Sequence, residues 1–274
     1  MLVVEARFHH LDALEVWWPP SAEAVVPLVS AAPVVTVVQC SAIVADALAP
    51  FTFRRRVFPT TIIDLSLPEG TLWSRLDQKS CRTEINRARR LECTVSVNTN
   101  PDDALRLING LIQRSEYRRP TTAEEWKRHL EYSDVFVVYL HGEAIATHVV
   151  RVDGTDRARV LLGATVERGA RYPGGIIGAL NRYLLWHEIG HYHDRGVGRF
   201  DFGGITLDRQ SPLYSIARFK LSFGGDVIEE YVVRLAGLLP LRLSLRAAAR
   251  AKGWIDRWNV RQPPAVRPAQ QVVQ

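Results

Sequence analysis

The stretch VFVVYLHGEAIATHVVRVDGTDRARVLLGA, residues 135–164, decides the fold. Its apolar and β-branched runs are separated by two turn segments, His141-Gly142-Glu143 and Asp153-Gly154. Runs of this length with glycine-containing turns between them predict a three-stranded antiparallel meander. The strands are expected at residues 135–140, 144–152 and 159–164.

The segments on either side of the meander predict a mixed sheet covered by helices. After it come a glycine-rich turn at 168–175, a long helix at 176–195, a strand at 199–202, a helix at 211–221 and a strand at 227–233. Before it, strands are expected at 34–38, 42–44, 62–65 and 94–97. Helices are expected from 71, across 81–91, from 100 to about 117, and across Trp126 and Leu130. This alternation indicates an α/β (α+β) fold.

The composition is that of an ordinary globular protein. The chain has 274 residues, of which 47% are hydrophobic and 23% charged, so a sizeable core is expected. Charges at Glu5, Arg7 and Asp12 argue against a secretory leader. The three cysteines form no CxxC pair, so they predict reduced thiols, and the cytoplasm is the expected compartment.

Positive charge is concentrated in two places. The formal net charge is +6, yet residues 234–274 carry seven Arg and one Lys against the single acid Asp256. A second basic stretch covers residues 75–90. Such clusters attract phosphates on nucleic acid, on a nucleotide-linked substrate or on a membrane surface, whereas the simplest alternative is a solvated helix face.

Several separated motifs resemble one family. They are DLS at 64–66, LW at 72–73, RTEINRA at 82–88, LLW at 184–186, FDFGGI at 200–205 and FKLSFGG at 219–225. In this order they resemble the signature of the Fem-like (FemAB/FemX-type) aminoacyl-tRNA-dependent peptidyl transferases, a branch of the GNAT acyltransferase superfamily. The resemblance covers roughly residues 60–233. It implies a GNAT-like mixed central sheet flanked by helices.

The same resemblance implies three regions in the chain. Residues 1–58 would form a small, truncated N-terminal GNAT-like portion, and residues 59–235 the acyltransferase domain. Residues 236–274 are expected to be a basic C-terminal helix followed by a disordered, proline-bearing tail.

The resemblance further implies transfer of an aminoacyl group from its tRNA ester to an amine, on a cell-wall precursor or a peptide-like natural product. No cofactor is implied beyond aminoacyl-tRNA as co-substrate. In the family the lysine of the FK motif stabilises the oxyanion, which implies Lys220 here, with Phe219 packing against the acyl donor. Asp201 is expected either to accept the proton of the amine or to be a structural carboxylate that binds the glycine amides.

Further residues are assigned to binding. Arg171, Tyr172, Gly174 and Gly175 occupy the place of the pyrophosphate loop of CoA-dependent GNAT enzymes, where a helix N-terminus can hold phosphate. The remaining donor-binding candidates are Phe202 and Gly203, and the candidates for phosphates of the acceptor or the tRNA are Arg82, Arg87 and Arg90. The loop meets the Q/R-x-x-G-x-G/A spacing only loosely, which favours tRNA over CoA. An acetyl- or acyl-CoA-dependent N-acyltransferase is the alternative.

Two other classes of protein stay open on the sequence. HEIGH at 187–191 matches HExxH and would suit a zinc metallopeptidase, but the extended motif is missing and no metal site is predicted. The basic C-terminal region, with Trp254 and Trp258, indicates a tRNA-binding element, a contact with an anionic membrane surface or a solvated helix. A non-catalytic RNA-binding module would use the same region. The oligomeric state is not indicated.

Overall fold

The computed structural model describes residues 1–114, 119–167, 169 and 171–251. Up to residue 114, the helices and strands are β1 (Leu2–Phe8), β2 (Leu11–Trp17), α1 (Val26–Ala31), β3 (Val34–Cys40), α2 (Ala42–Ala47), β4 (Thr52–Asp64), α3 (Glu69–Arg75), α4 (Thr83–Arg89), β5 (Cys93–Val97) and α5 (Pro101–Gln113). From residue 119 they are α6 (Ala123–Glu131), β6 (Ser133–Leu140), β7 (Glu143–Asp153), β8 (Arg157–Thr165), α7 (Gly174–Asp194), β9 (Arg199–Gly204), α8 (Tyr214–Leu221), β10 (Asp226–Leu235) and α9 (Leu239–Ala251).

The first of two compact units comprises Met1–Thr60 and the described residues from Val227 onward. Its strands lie in the order β1-β2-β3-β10-β4. β1 pairs with β2 antiparallel, β2 with β3 parallel, and β3 with β10 antiparallel. The valine-rich β3 contributes Val35 and Val37 to a core that also contains Val29 of α1 and Val44 of α2.

The second unit is Thr61–Asp226. Its strands follow the order β4-β9-β8-β7-β6-β5, with the last residues of β4 at one side. The meander β6-β7-β8 is antiparallel, as the alternation of apolar runs and turns predicts. On one face α7 packs Leu184 and Ile189 into the largest core, and on the other α5 and α6 pack Ile108 and Trp126 against the sheet.

Strand β9 lies parallel to β8, but only over a short distance. Their pairing covers three positions, from Arg157 opposite Arg199 to Arg159 opposite Asp201. Both strands continue beyond this point, β8 to Thr165 and β9 to Gly204. The ends of two parallel strands that are no longer paired are a frequent place for a ligand in α/β sheets.

Most predicted elements are confirmed, and one is wrong. Residues 42–44, predicted as a strand, open helix α2, because Ser41 caps the helix through a hydrogen bond from the amide of Val44 to its hydroxyl oxygen. The helix expected across 81–91 begins with a π-helical turn, Gln78–Arg82, before α4. The end of the helix expected to reach Tyr117 and the tail beyond Ala251 lie outside the described residues.

The expected regions 1–58, 59–235 and 236–274 stay a prediction. The compact units divide the chain after Thr60 and after Asp226, and both β10, from Val227 onward, and α9 belong to the first unit. All three cysteines lie in the described part of the chain, and each is a free thiol. No helix among the described residues is long and apolar enough to cross a membrane.

Candidate functional site

The ammonium group of Lys220 is held at the end of β9. Its Nζ donates to the carbonyl oxygen of Gly204 at 2.8 Å and to that of Gly203 at 3.3 Å. Gly203 has φ +73°, a conformation that residues with a Cβ rarely adopt, and a Cβ there would lie 3.2 Å from the carbonyl oxygen of Val160. The DFGG sequence therefore turns two carbonyls toward the lysine of α8.

Burial makes the lysine a readier proton donor. It lowers the pKa of Lys220 to about 8, the nearby Asp201 carboxylate opposes this fall, and the Arg159 guanidinium adds to it. At neutral pH the group is still mainly an ammonium. A cation in such a partly desolvated place stabilises a developing negative charge more strongly than one in water.

Asp201 is fully buried and bound at both oxygens. Oδ2 accepts from Nη2 of the buried Arg157 at 2.7 Å, and Oδ1 accepts from the amide of Gly203 at 2.7 Å. Of the two roles expected for Asp201, these contacts favour the structural one, because an ion-paired carboxylate is a weak base. Its contact with Gly203 helps to set the turn whose carbonyls receive Lys220.

The remainder of FKLSFGG fixes α8 in place. A Cβ on Gly224, which has φ +74°, would lie 2.3 Å from the carbonyl oxygen of Arg75, and one on Gly225 would lie 2.8 Å from that of Ile62. The motif's glycines thus permit a close approach of backbones within the second unit. Phe223 is buried beside them.

The aromatic residues assigned to the donor differ in position. Phe202 is buried, with its ring 5.1 Å from that of Phe223, so the structure places it in the core. Phe219 is half-buried, and the guanidinium of Arg182 lies over its ring at 4.7 Å. Phe219 is therefore the better placed of the two to meet a ligand beside Lys220.

The upstream motifs pack against α7. Trp73 of the LW pair lies edge-on to Trp186 of the LLW sequence, with ring centroids 5.0 Å apart. Ile85 and Ala88 of α4 are fully buried in the same core. These motif residues pack in the core and stabilise it. Their packing places the basic residues of α4 beside α7.

The start of α7 gathers two groups of residues that were predicted separately. A Cβ on Gly175 would lie 3.2 Å from Nη1 of Arg87, so the guanidinium rests on the first turn of the helix. Gly174 begins the same turn. A helix N-terminus and an arginine together form a favourable environment for an anion.

The other predicted donor-loop residues converge on Glu143. Arg171 forms an ion pair with its carboxylate, and the hydroxyl of Tyr172 donates to it at 2.5 Å. The structure therefore engages Arg171 with the β6–β7 turn. Arg82 is half-buried and its Nε has no hydrogen-bond partner among the described residues, whereas Arg90 is exposed at the end of α4.

The HEIGH segment has a core role. Glu188 is fully buried, and one carboxylate oxygen lies 2.5 Å from Nδ1 of His148 on β7. Burial raises the pKa of Glu188, and the imidazole opposes this rise. Within the described ranges, no three His, Cys, Asp or Glu side chains are arranged to hold a metal ion. The glutamate of the HExxH match is therefore engaged in the core with His148.

Sequence reasoning missed Arg157 and Arg159. Both lie on β8, in register with Arg199 and Asp201 of β9. Arginine at alternate positions of an otherwise apolar strand is a signal that could have indicated a buried acidic partner. The sequence could not show that Asp201 is the carboxylate that pairs with Arg157, because the two residues lie 44 positions apart.

Comparisons with known proteins identify the fold. No family model and no curated protein sequence matches the chain. The structure of FemX matches with a TM-score of 0.65 at 12% identity, over 89% of this chain and 86% of that one. L-PGS from Bacillus licheniformis matches with a TM-score of 0.56 at 15% identity, over 89% and 83%.

A third structure extends the comparison. It is the C-terminal domain (DUF2156) of a putative lysylphosphatidylglycerol synthetase from Agrobacterium fabrum, with a TM-score of 0.54 at 17% identity, over 90% of this chain and 84% of that one. Likeness at such low identity concerns the fold alone. The GNAT-like mixed sheet flanked by helices, predicted from the motifs, is confirmed.

Proposed function

We propose that this chain is an acyltransferase that moves an aminoacyl group from aminoacyl-tRNA to an amine. The amine nitrogen attacks the ester carbonyl, and a tetrahedral oxyanion forms. The bond to the ribose oxygen of the tRNA then breaks, the amine loses a proton, and the ribose oxygen gains one. The products are an amide and free tRNA. Because the ester is already activated, alignment of the groups and oxyanion stabilisation are the main tasks of the enzyme.

The observation that supports this proposal most is the position of Lys220. It is the lysine of the FK motif, half-buried, and held by two carbonyls beside the place where β8 and β9 separate. Its cation is aimed from a fixed point, so little reorganisation is needed when negative charge develops. We assign Lys220 to the oxyanion and Phe219 to the wall of the donor site.

Asp201 acts in this proposal as a positioning residue. The Arg157–Asp201 pair sets the Gly203 turn, and Arg159 adds positive charge near Lys220. The amine proton then leaves to water or to the departing ribose oxygen, and Asp201 is not the base.

The donor is assigned by chemistry and resemblance. The α7 N-terminus with Arg87 suits a phosphate of tRNA, and Arg82 and Arg90 are proposed to extend that contact. The same anion site would suit the phosphates of an acyl-CoA. Arg171, however, is engaged with Glu143 and does not complete the CoA loop pattern. We therefore propose aminoacyl-tRNA as the acyl donor and keep acyl-CoA as the alternative donor.

The acceptor is proposed to be a primary amine on a small molecule or peptide. One of the structural neighbours is named as a putative lysylphosphatidylglycerol synthetase, which points to a hydroxyl acceptor on a lipid. A lipid hydroxyl and a peptide amine would both attack the same ester carbonyl. The two acceptors give an ester and an amide respectively, which alkaline hydrolysis separates.

The test supplies purified protein with tRNA charged with labelled amino acids, a panel of primary amines and phosphatidylglycerol vesicles. A parallel reaction supplies labelled acetyl-CoA. Lys127→Met, which alters an exposed lysine of α6, is the matched control for Lys220→Met. We expect the labelled amino acid to move from tRNA to an acceptor when wild type or the Lys127→Met control is present. With Lys220→Met we expect no transfer.

Transfer from acetyl-CoA alone would replace tRNA by CoA as donor. Transfer from neither donor to any acceptor would refute the acyltransferase assignment. Stoichiometric zinc together with peptide cleavage would reinstate the metallopeptidase hypothesis.

A further inference from the structure

Strand β7 holds a histidine against a carboxylate in the core of the second unit. Nδ1 of His148 lies 2.5 Å from a carboxylate oxygen of Glu188 on α7. His148 is 5% exposed, and Glu188 is fully buried. Because Nδ1 is shared with Glu188, the orientation of the ring is fixed and Nε2 is the nitrogen left for another partner.

Stability alone does not explain this pair. Within the described residues, Oε2 of Glu188 has no hydrogen-bond partner, and Nε2 of His148 forms no hydrogen bond. Burying a polar pair with unmet hydrogen-bonding capacity costs free energy, and apolar residues of similar size would fill the same space at less cost. Buried ionisable groups of this kind are frequent at functional sites.

The edge of the imidazole that carries Nε2 lies against Gly163 of β8. Gly163 is directly opposite His148 in the register of β7 and β8. A Cβ on Gly163 would lie 2.8 Å from Cδ2 of the ring and 3.3 Å from Nε2. Gly163 is itself exposed, so Nε2 lies close to the surface of the strand. A glycine inside a strand often marks a place where a ligand approaches closely.

This part of β8 borders the place where β8 and β9 separate. Gly163 lies beyond the last position at which the two strands pair. A Cβ on Gly203, whose carbonyl oxygen accepts from Lys220, would lie 3.2 Å from the carbonyl oxygen of Val160. From Val160 to Gly163 the strand advances by roughly 10 Å, at about 3.3 Å per residue. The histidine and the lysine therefore approach the same separation, one beside each strand.

We propose that His148, positioned by Glu188, is the base of the acyl transfer, a role that rests on the proposed function. Nε2 accepts the proton of the attacking amine as the bond between the amine nitrogen and the ester carbon forms. The imidazolium then gives this proton to the ribose oxygen as the bond between that oxygen and the carbonyl carbon breaks, so the histidine ends neutral. Glu188 is a positioning residue, which holds Nδ1 and stabilises the protonated ring.

The first test is independent of acyl transfer. Diethyl pyrocarbonate acylates imidazole nitrogens that are neutral and accessible, and mass spectrometry locates the modified histidines. We expect modification of His148 in wild type and less of it in Gly163→Ala, because the added methyl group lies against the ring edge. The exposed His141 should react alike in both proteins and is the internal control. An unmodified His148 beside a modified His141 would overturn the proposal.

The second test measures transfer of a labelled amino acid from charged tRNA to glycinamide and to the weakly basic methoxyamine, above the rate without protein. His148→Asn keeps an amide nitrogen in the place of Nδ1 but offers no base. Glu188→Gln keeps an acceptor for Nδ1 but removes the charge. His129→Asn, which alters a half-buried histidine of α6, is the matched control, and the melting temperature of every variant is measured alongside.

His148→Asn should lose roughly 100-fold or more in the rate of transfer to glycinamide, the usual contribution of a general base. Glu188→Gln should lose less, and His129→Asn should match wild type. Both losses should be smaller with methoxyamine, because a weakly basic amine gives its proton to water more readily. A misfolded variant would slow both amines alike.

Three results separate the possible failures. An unchanged rate in His148→Asn would overturn the role of His148 and leave the proposed function intact. An equal loss for both amines would assign the pair to the core and overturn the role as well. If wild type is modified at His148 but transfers to neither amine, the proposed function fails and this role fails with it.

Discussion

Replacing Lys220 with methionine should make the protein more stable near neutral pH, and this gain should shrink at high pH. Burial lowers the pKa of Lys220 from 10.5 to about 8. Because the folded pKa lies below the unfolded one, the unfolded chain binds the proton more tightly between these two values. The ammonium therefore lowers the free energy of unfolding below pH 8, and the penalty disappears as the pH rises toward 10.5.

The size of the penalty follows from the pKa change. One pKa unit corresponds to about 1.4 kcal/mol, so the full change sets an upper limit of roughly 3 kcal/mol. Lys220 is only half-buried, and solvent screening reduces the expected value to about 1–2 kcal/mol. If Lys220 has the proposed catalytic role, this loss of stability is the usual trade-off at an active site.

The assay is urea unfolding followed by tryptophan fluorescence, at about pH 7 and about pH 10. The quantity to compare is the change with pH in the difference between Lys220→Met and wild type, because altered packing contributes equally at both pH values. The Lys127→Met control should show no such change. A difference that stays constant with pH, or grows toward high pH, would refute the reasoning about Lys220.

Three further predictions follow from the site. Gly224→Ala should lower the free energy of unfolding by about 3 kcal/mol or more, because it adds a Cβ at φ +74° against a carbonyl oxygen. Its control is Gly190→Ala in α7, where a Cβ meets open space and the change should be neutral or stabilising in the same assay. Asp201→Asn should lower the free energy of unfolding by roughly 3 kcal/mol, because it removes the carboxylate that pairs with the buried Arg157. If the variant instead loses activity at an unchanged melting temperature, Asp201 acts as a base. Replacing His187 and His191 with Gln should leave the metal content in elemental analysis unchanged, because the two histidines are the residues of HEIGH that would bind zinc, and loss of bound zinc would contradict the core role of the segment.

The fold could be predicted where local pattern and long-range structure agree. The meander β6-β7-β8 has apolar runs separated by glycine turns, and Gly203, the first glycine of DFGG, adopts a positive φ that favours glycine. The prediction of a strand at residues 42–44 is wrong. Their β-branched residues indicate a strand, but the serine before them caps a helix. Local propensity alone does not decide between such alternatives.

The candidate site was predictable in part. The FK motif predicts Lys220 as a site residue, and this stays a prediction. The carbonyl groups that accept from Lys220 could not be predicted from the sequence, because they lie 16 and 17 residues away. The Arg157–Asp201 and His148–Glu188 pairs join residues 44 and 40 apart. Such pairings depend on the register of the sheet and on the position of α7, which tertiary packing determines.

The most direct test of the central claim is the single-turnover rate of aminoacyl transfer from charged tRNA by wild type, Lys220→Met and Lys220→Arg. If Lys220 stabilises the oxyanion, Lys220→Met should lose roughly 100- to 1,000-fold in rate. The wild-type rate should also decline above about pH 8, where the ammonium is lost, and any rate retained by Lys220→Arg should not. A Lys220→Met rate within a few-fold of wild type, at matched folding, would contradict the claim.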